Sequence, residues 1–394
     1  MTKLFLGREA ESGEELTKDS SKSHVVFVAG KRGSGKSYTL GVFAEELYLK
    51  SREIVPIIID TMGIYWTMAL ENTTESSSEW GITPQGLPVR LIVPGDPKKN
   101  LGEEVLREME YMGVESRPLT IPPSDIEPDE WLDLFTLSLT DPMGILLYKA
   151  TAKLFERWEE KGVEYTIEDI SKQIIGDEYG HDRTKLALIN RLEAAKRRGF
   201  FGRSPWRTSE IFRKGAINIV DVSGFDPYRY GLRQFVTMIV AKKLFAERAR
   251  ARKREEVGLP SDVPRIWLLI DEAHQFIPAG RGTSCKNTLI RWVKEGRQPG
   301  LSIVLATQQP SALDSEVLSQ CDKVIAHRIT MKVDLDALNA LSQDYMKMEF
   351  KEYVRKVKEP GEAIYLDDER EEMGLVRVRA RITSHGGTEK LVTR

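Results

Sequence analysis

At 394 residues, 41% hydrophobic and 30% charged, the chain is long enough to bury a large core, as one enlarged domain or a domain with an insert. Its 58 Lys and Arg nearly balance 60 Asp and Glu, and the net charge of -2 excludes a protein coated in basic surface, so any nucleic-acid contact is confined to a local patch or channel. No apolar stretch reaches roughly 18 residues and Met1 to Ser23 is mostly polar, so neither a membrane span nor a secretory signal is expected and the cytoplasm is the expected location.

Residues 1–23 read as a lead segment. The first strongly apolar run, Val25 to Ala29, leads into Gly30-Lys31-Arg32-Gly33-Ser34-Gly35-Lys36-Ser37, a complete G-x-x-x-x-G-K-[ST] phosphate loop. Its glycines let consecutive backbone N–H groups turn towards phosphate oxygens, and the helix expected over Tyr38 to Leu49 adds the positive end of its dipole. Lys36 is placed to reach the β and γ phosphates, and Ser37 supplies a hydroxyl for Mg²⁺. Gly30 to Ser37, with the adjoining Tyr38, therefore form the expected nucleotide site, and ATP and Mg²⁺ the expected cofactors.

Further apolar runs bounded by turn signals follow at Ile54 to Ile59, Leu91 to Val93, Ile217 to Val220, Ile266 to Ile270, Leu301 to Ala306 and Val324 to Ala326. Several end directly on a polar residue: Asp60, Asp221, Asp271, Thr307. Such runs alternating with helical patterns predict a doubly wound, mainly parallel α/β sheet that binds ligands at the carboxyl ends of its strands. Residues 24–100 and 214–394 are its two parts. The intervening 101–213 read as a helical insert, with helical patterns at Pro128 to Leu137, Gly144 to Lys161, Ile167 to Ile175, which has a Thr166-x-x-Asp169 capping box, and Arg183 to Arg198. Leu232 to Leu244 carry a core-facing helical stripe, and the basic continuation Arg248 to Arg254 reads as the solvated end of that helix, with phosphate binding as the alternative.

The strand Ile266 to Ile270 ends in Asp271-Glu272-Ala273-His274. Asp271 is placed to hold the Mg²⁺ shell, and Glu272 to orient and deprotonate a water for in-line attack on the γ-phosphate. Arg297 sits between Gly296 and Pro299-Gly300, a stiff exit that suits an arginine finger shared between subunits; an ordinary surface arginine is the alternative. Gln308, after the next strand, is a candidate γ-phosphate sensor or a turn amide before Pro310. The two cysteines, Cys285 and Cys321, and five scattered histidines support neither a disulfide framework nor a zinc site. Arg281, Lys286 and Arg291 are candidate DNA contacts, as are Lys196, Arg197, Arg198 and Arg203, with solvated surface as the alternative for each. Near the C-terminus Arg377, Arg379 and Arg381 alternate with apolar residues on one strand face, which meets a neighbouring subunit or DNA, or is simply an exposed charged face.

The ordered set Gly-Lys-Arg-Gly-Ser-Gly-Lys-Ser, Ile-Asp-Glu-Ala-His, Glu-Gly-Arg-Gln-Pro-Gly and Ala-Thr-Gln-Gln-Pro resembles the HerA branch of the HerA/FtsK hexameric DNA-pumping ATPases, from about residue 24 onwards. The resemblance implies a RecA-like core with a helical insert, a homo-oligomeric ring expected as a hexamer, double-stranded DNA as substrate and a NurA-like nuclease as partner. It also implies Glu272 as catalytic glutamate, Arg297 as the finger reaching a neighbour's ATP, Gln308 as sensor and Asp60 as an accessory acidic position. With about 23 residues before the first expected strand, the β-barrel that precedes the ATPase domain in that family is not expected here. Two other readings stay open: a P-loop ATPase acting on protein partners as a switch, and the monomeric helicases named after Asp-Glu-Ala-His, for whose second RecA-like domain the residues after Lys323 leave little space.

Overall fold

A computed structural model describes residues 3–51, 53–74, 76–202, 206–225, 231–339, 354 and 356–387. Among these, twelve strands form one sheet: β1 (Lys3–Glu9), β2 (Glu15–Asp19), β3 (Val25–Ala29), β4 (Ile54–Asp60), β5 (Val89–Pro94), β6 (Val114–Leu119), β7 (Ile217–Asp221), β8 (Arg265–Ile270), β9 (Leu301–Thr307), β10 (Lys323–Ala326), β11 (Glu362–Asp367) and β12 (Glu372–Val378). Their order is β2-β1-β12-β11-β10-β3-β9-β8-β4-β7-β5-β6. From β10 to β6 every neighbour pairs in parallel, and β11, β12, β1 and β2 extend one edge antiparallel. This is the doubly wound, mainly parallel α/β fold that the apolar runs predict.

The buried strands explain why their sequences are apolar throughout rather than alternating. Successive side chains point to opposite faces, and here both faces are covered. Phe27, Ile57, Leu268 and Ile303 enter one core, with the helices Pro128–Phe135, Pro142–Lys161, Leu232–Glu256 and Ser284–Glu295. Val26, Val28, Ile58, Leu269 and Val304 enter the other, beneath α1 (Lys36–Lys50) and the antiparallel edge.

Residues 101–213 are mainly helical, and the Thr166 cap forms as a reciprocal pair, its Oγ1 accepting from the Asp169 N–H at 3.3 Å. They also carry β6, which pairs in parallel with β5 and ties the insert into the sheet. Pro118 and three polar residues inside β6 hid it from pattern reading. The lead segment expected over 1–23 instead holds β1 and β2. Only Leu4, Leu6 and Gly7 of β1 and Lys18 of β2 are buried, so their sequences lack the continuous apolar signature.

The C-terminal arginines need a larger correction. Arg377 is exposed and pairs with Glu79 at 3.1 Å, but Arg379 and Arg381 lie past the end of β12 and are each 1% exposed. Arg379 donates to Glu45 at 2.8 Å and pairs with Glu46 at 2.9 Å, while Arg381 Nε donates to Glu45 at 3.3 Å. Glu45 and Glu46 lie on α1, and Glu45 also accepts from the N–H groups of Ile382 and Thr383. Residues 379–383 thus form a strap over the phosphate-loop helix. It passes so close that a Cβ at Gly41 would lie 2.6 Å from the Arg381 guanidinium. Arg248 departs from its solvated reading in the same way: 2% exposed, it holds Glu255 with two hydrogen bonds of 2.8 Å.

Removing one partner of a buried ion pair leaves the other charge without compensation. Glu45→Ala is expected to lower the unfolding free energy by about 3–5 kcal/mol in urea denaturation, against less than about 1 kcal/mol for Glu79→Ala at the exposed pair. Equal effects at the two positions would show that the strap adds nothing to stability.

Candidate functional site

The site lies where the parallel strands end. Gly30 follows β3, Asp271 and Glu272 follow β8, Thr307 closes β9 and His327 follows β10. The phosphate loop is anchored to both neighbours of β3. The Gly30 N–H donates to Thr307 O at 3.3 Å, and the Lys31 N–H to Arg328 O at 2.9 Å. Gly30 has no room for a side chain, since a Cβ there would meet Ser34 Oγ at 2.4 Å, and Gly35 at φ 115° occupies backbone space that favours glycine. No side chain caps the start of α1 after Gly35, so its first N–H groups remain available for an anion.

Beneath the loop, His327 is 1% exposed and bonded on both ring nitrogens. Its Nδ1 donates to the Glu362 carbonyl at 2.8 Å, so its Nε2, 2.8 Å from Thr39 Oγ1, accepts the threonine hydroxyl. Burial pushes its pKa down to about 4. Sequence reading noted the polar residues after four other strands but not this one, although the same signal was present at His327.

Lys36 is buried, with Nζ 3.2 Å from Lys31 O; burial lowers its pKa, while Glu272 and Asp271 pull it back up. Ser37 Oγ donates to Asp271 Oδ2 at 2.8 Å, and the fully buried Tyr65 hydroxyl donates to the same oxygen at 2.9 Å. Tyr65 was not foreseen; Asp60 places it, with Oδ2 accepting the Tyr65 N–H at 2.9 Å and Oδ1 accepting those of Met62 and Gly63. Burial, with Asp221 on the adjacent strand, raises the Asp60 pKa to about 7.

Among the described residues no group of three or more His, Cys, Asp or Glu side chains is placed to hold a metal ion unaided. Ser37 and Asp271 offer instead a hydroxyl and a carboxylate side by side at the helix start. That donor set fits Mg²⁺, which takes one or two protein oxygens and completes its shell with water and phosphate.

Glu272 stands at φ 51°, ψ 48°, left-handed space that few non-glycine residues adopt, and this lifts its side chain out of the strand line. Burial raises its pKa, Asp271 adds to the rise, and Lys36 and hydrogen bonding from Gln308 oppose it. Its Oε2 is buried without a hydrogen bond. Beside it His274 Nδ1 lies 2.9 Å from Thr307 Oγ1 and 3.4 Å from Glu272 Oε2. His274 also lines a cavity of 720 Å³ between the sheet and the insert, with Asp133, Gln234, Gln275, Arg281 and Gln309.

Lys36, Ser37, Asp271, Glu272 and Gln308 therefore converge. Arg297 does not join them. It is exposed before the start of β9, so the length of that strand, roughly 20 Å, separates it from its own phosphate loop. It lines a 600 Å³ cavity at the opposite end of the sheet with Lys22, Lys214, Arg252 and Arg265. Tyr38 directs its hydroxyl away from the loop, accepting the Arg381 N–H at 2.7 Å. The expected DNA contacts are dispersed: Arg281 is exposed at the cavity rim, Lys286 is mostly buried against Asp314 at 2.6 Å, and Arg291 pairs with Glu295 and covers the Phe245 ring. Lys196 pairs with Glu168, Arg197 and Arg198 are exposed at their helix end, and Arg203 lies outside the described residues.

The fold and the phosphate-loop site define a RecA-like P-loop ATPase. Known proteins carry the assignment further. A family described as helicase HerA, central domain, matches residues 19–242, more than half of the chain, and the chain belongs to that family. A family described as zonular occludens toxin (Zot) matches residues 213–364. A probable helicase of Methanocaldococcus jannaschii is 30% identical over 141 residues, which cover 34% of this chain and 26% of that protein. The DNA double-strand break repair helicase HerA of Pyrococcus furiosus is 29% identical over 157 residues, covering 34% and 28%. The chain thus spans little more than a quarter of the length of these curated relatives. Among solved structures, VirB4 of Thermoanaerobacter pseudethanolicus superposes with a TM-score of 0.65 at 14% identity over 96% of both chains. The bacterial conjugative coupling protein TrwBdeltaN70 does so with a TM-score of 0.53 at 13% identity, over 98% of this chain and 90% of that one. At these identities the likeness is one of fold. Among the described residues no helix is long and apolar enough to cross a membrane.

The depressed His327 pKa carries a stability consequence. The folded state holds the ring neutral down to about pH 4, whereas an unfolded histidine protonates near pH 6.5, so stability falls as pH drops through that window. Between pH 7 and 5 the loss is on the order of 2 kcal/mol. His327→Gln is expected to flatten the pH dependence of the unfolding free energy by that amount, and an unchanged slope would mean the ring titrates at the same pH in the folded and unfolded states.

Proposed function

We propose that the chain is an ATP-driven motor that assembles as a homo-oligomeric, expectedly hexameric, ring, hydrolyses ATP between subunits and translocates double-stranded DNA in the cytoplasm. The observation that carries this reading is the separation of Arg297 from the phosphate loop of its own chain. An exposed arginine on a stiff turn, roughly 20 Å from its own Lys36, serves a nucleotide held by a second copy. The names of the HerA relatives support DNA as the substrate. A NurA-like nuclease is a further partner under the same reading.

In this mechanism the phosphate-loop amides and Lys36 bind the triphosphate. Ser37 and Asp271 would hold Mg²⁺, which when bound would supply positive charge to offset that of the phosphates. Glu272, its carboxylate raised in basicity by burial and by Asp271, accepts the proton of the attacking water, whose oxygen bonds to the γ-phosphorus as the bridge to the β-phosphate breaks. Gln308 touches Glu272 from the next strand and senses the γ-phosphate. Arg297 of the neighbouring copy stabilises the charge that develops.

Glu272→Gln is expected to bind ATP normally and lose about 10²-fold or more in turnover. Arg297→Ala is expected to lose about 10³-fold, with activity partly restored on mixing with Lys36→Ala subunits. Full activity of Arg297→Ala alone would remove the shared site. ATP turnover with linear duplex DNA across a salt series tests the motor. Stimulation that fades as salt rises is expected, because phosphate contacts release counterions. Turnover indifferent to DNA at every salt would replace the motor with a protein-directed switch.

A further inference from the structure

We infer that His274 is a positioning residue for the Glu272 carboxylate, acting through a hydrogen bond from Nδ1 that competes with its bond to Thr307. The inference rests on Glu272 being the group that takes the proton from water. The distances set out the competition: Nδ1 is 2.9 Å from Thr307 Oγ1 and 3.4 Å from Glu272 Oε2. A ring nitrogen carries at most one hydrogen and serves one of these oxygens at a time.

Thr307 Oγ1 already accepts from the Gln309 N–H at 3.1 Å and retains its own hydrogen to give. Giving it to Nδ1 satisfies the buried hydroxyl and leaves Glu272 Oε2 without a donor, which is the state the structure shows. Turning that hydroxyl away, with the ring hydrogen on Nδ1, lets the imidazole donate to Oε2 after a shift of a few tenths of an ångström. His274 has room for it, because one side of the ring faces the 720 Å³ cavity. Gln308 holds Glu272 from one side, and His274 then fixes the other oxygen, so that the carboxylate presents one orientation to water.

Thr307 is tied to both other parts of the machinery. Its carbonyl accepts the Gly30 N–H of the phosphate loop, and it is the last residue of β9, the strand that starts four residues after Arg297. A shift of β9 imposed from either end moves Thr307 against His274 and changes which oxygen the ring serves.

Steady-state ATP hydrolysis and equilibrium ATP binding of the full chain test this. His274→Ala is expected to lower kcat at least tenfold while leaving KM and ATP affinity within about twofold, since the ring touches Glu272 and not the phosphate loop. His274→Asn, whose amide nitrogen sits near the place of Nδ1, is expected to recover kcat to within about threefold of the parent. Parental kcat in His274→Ala, or equal losses in the Ala and Asn variants, overturns the positioning role. Glu272→Gln measured alongside separates the two levels: turnover by that variant removes the base assignment itself, whereas its inactivity together with an unaffected His274→Ala removes the positioning role alone.

Discussion

The register of the parallel ladder is the constraint on which the site depends. Ala29 pairs with Thr307 on one side and Ala326 on the other, so the ends of β3, β9 and β10 are level, whereas Ile270 pairs with Ile59 and with Leu305, so β8 ends two residues short of that line. Gly30, Gln308 and His327, each just past its strand, then fall in one row, and Asp60 and Asp271 fall in a second row two residues behind it. None of these side chains packs in the core that aligns it. A slip of one residue in any strand would exchange its two buried faces and move its terminal polar residue out of the row. Core packing therefore sets the chemistry, because Phe27, Leu268 and Ile303 fix where the polar residues begin.

The electrostatics follow from these two adjacent rows. Several acidic side chains end up close together in a buried place, and each is stabilised differently. Asp271 accepts three hydrogen bonds, from Ser37, Tyr65 and the Glu272 N–H. Asp60 accepts three backbone N–H groups, yet burial still lifts its pKa to about 7. Glu272 is the least satisfied, with one oxygen unbonded and a raised pKa. A carboxylate of this kind, lacking the donors that quench basicity, is suited to take a proton.

Most of the parallel core and the grouping of the candidate nucleotide-site residues could be read from the sequence, because each rests on short-range chemistry. The loop from Gly30 to Ser37 needs glycine, lysine and serine at fixed spacing, and a strand buried on both faces must be apolar along its length. What escaped reading depends on partners remote in sequence. Arg379 and Arg381 alternate with apolar residues as an exposed strand's charges would, and nothing local reveals that Glu45 and Glu46 wait for them on α1. Tyr65 looks like any aromatic until Asp60 turns the chain to aim it at Asp271. β1, β2 and β6 are half-exposed or interrupted by polar residues, so they lack the continuous signature of the central strands.

The strap over α1 has a consequence for how the protein is made. Glu45 and Arg379 are 334 residues apart, and α1 leaves the ribosome long before its partners do. At ordinary rates of synthesis the interval is on the order of tens of seconds. Throughout it the two glutamates stay hydrated, and the face of α1 that includes Gly41 lies open. The helix that begins at the phosphate loop is thus sealed only after residues 379–383 have emerged, which delays completion of the candidate nucleotide site until long after its own loop is made.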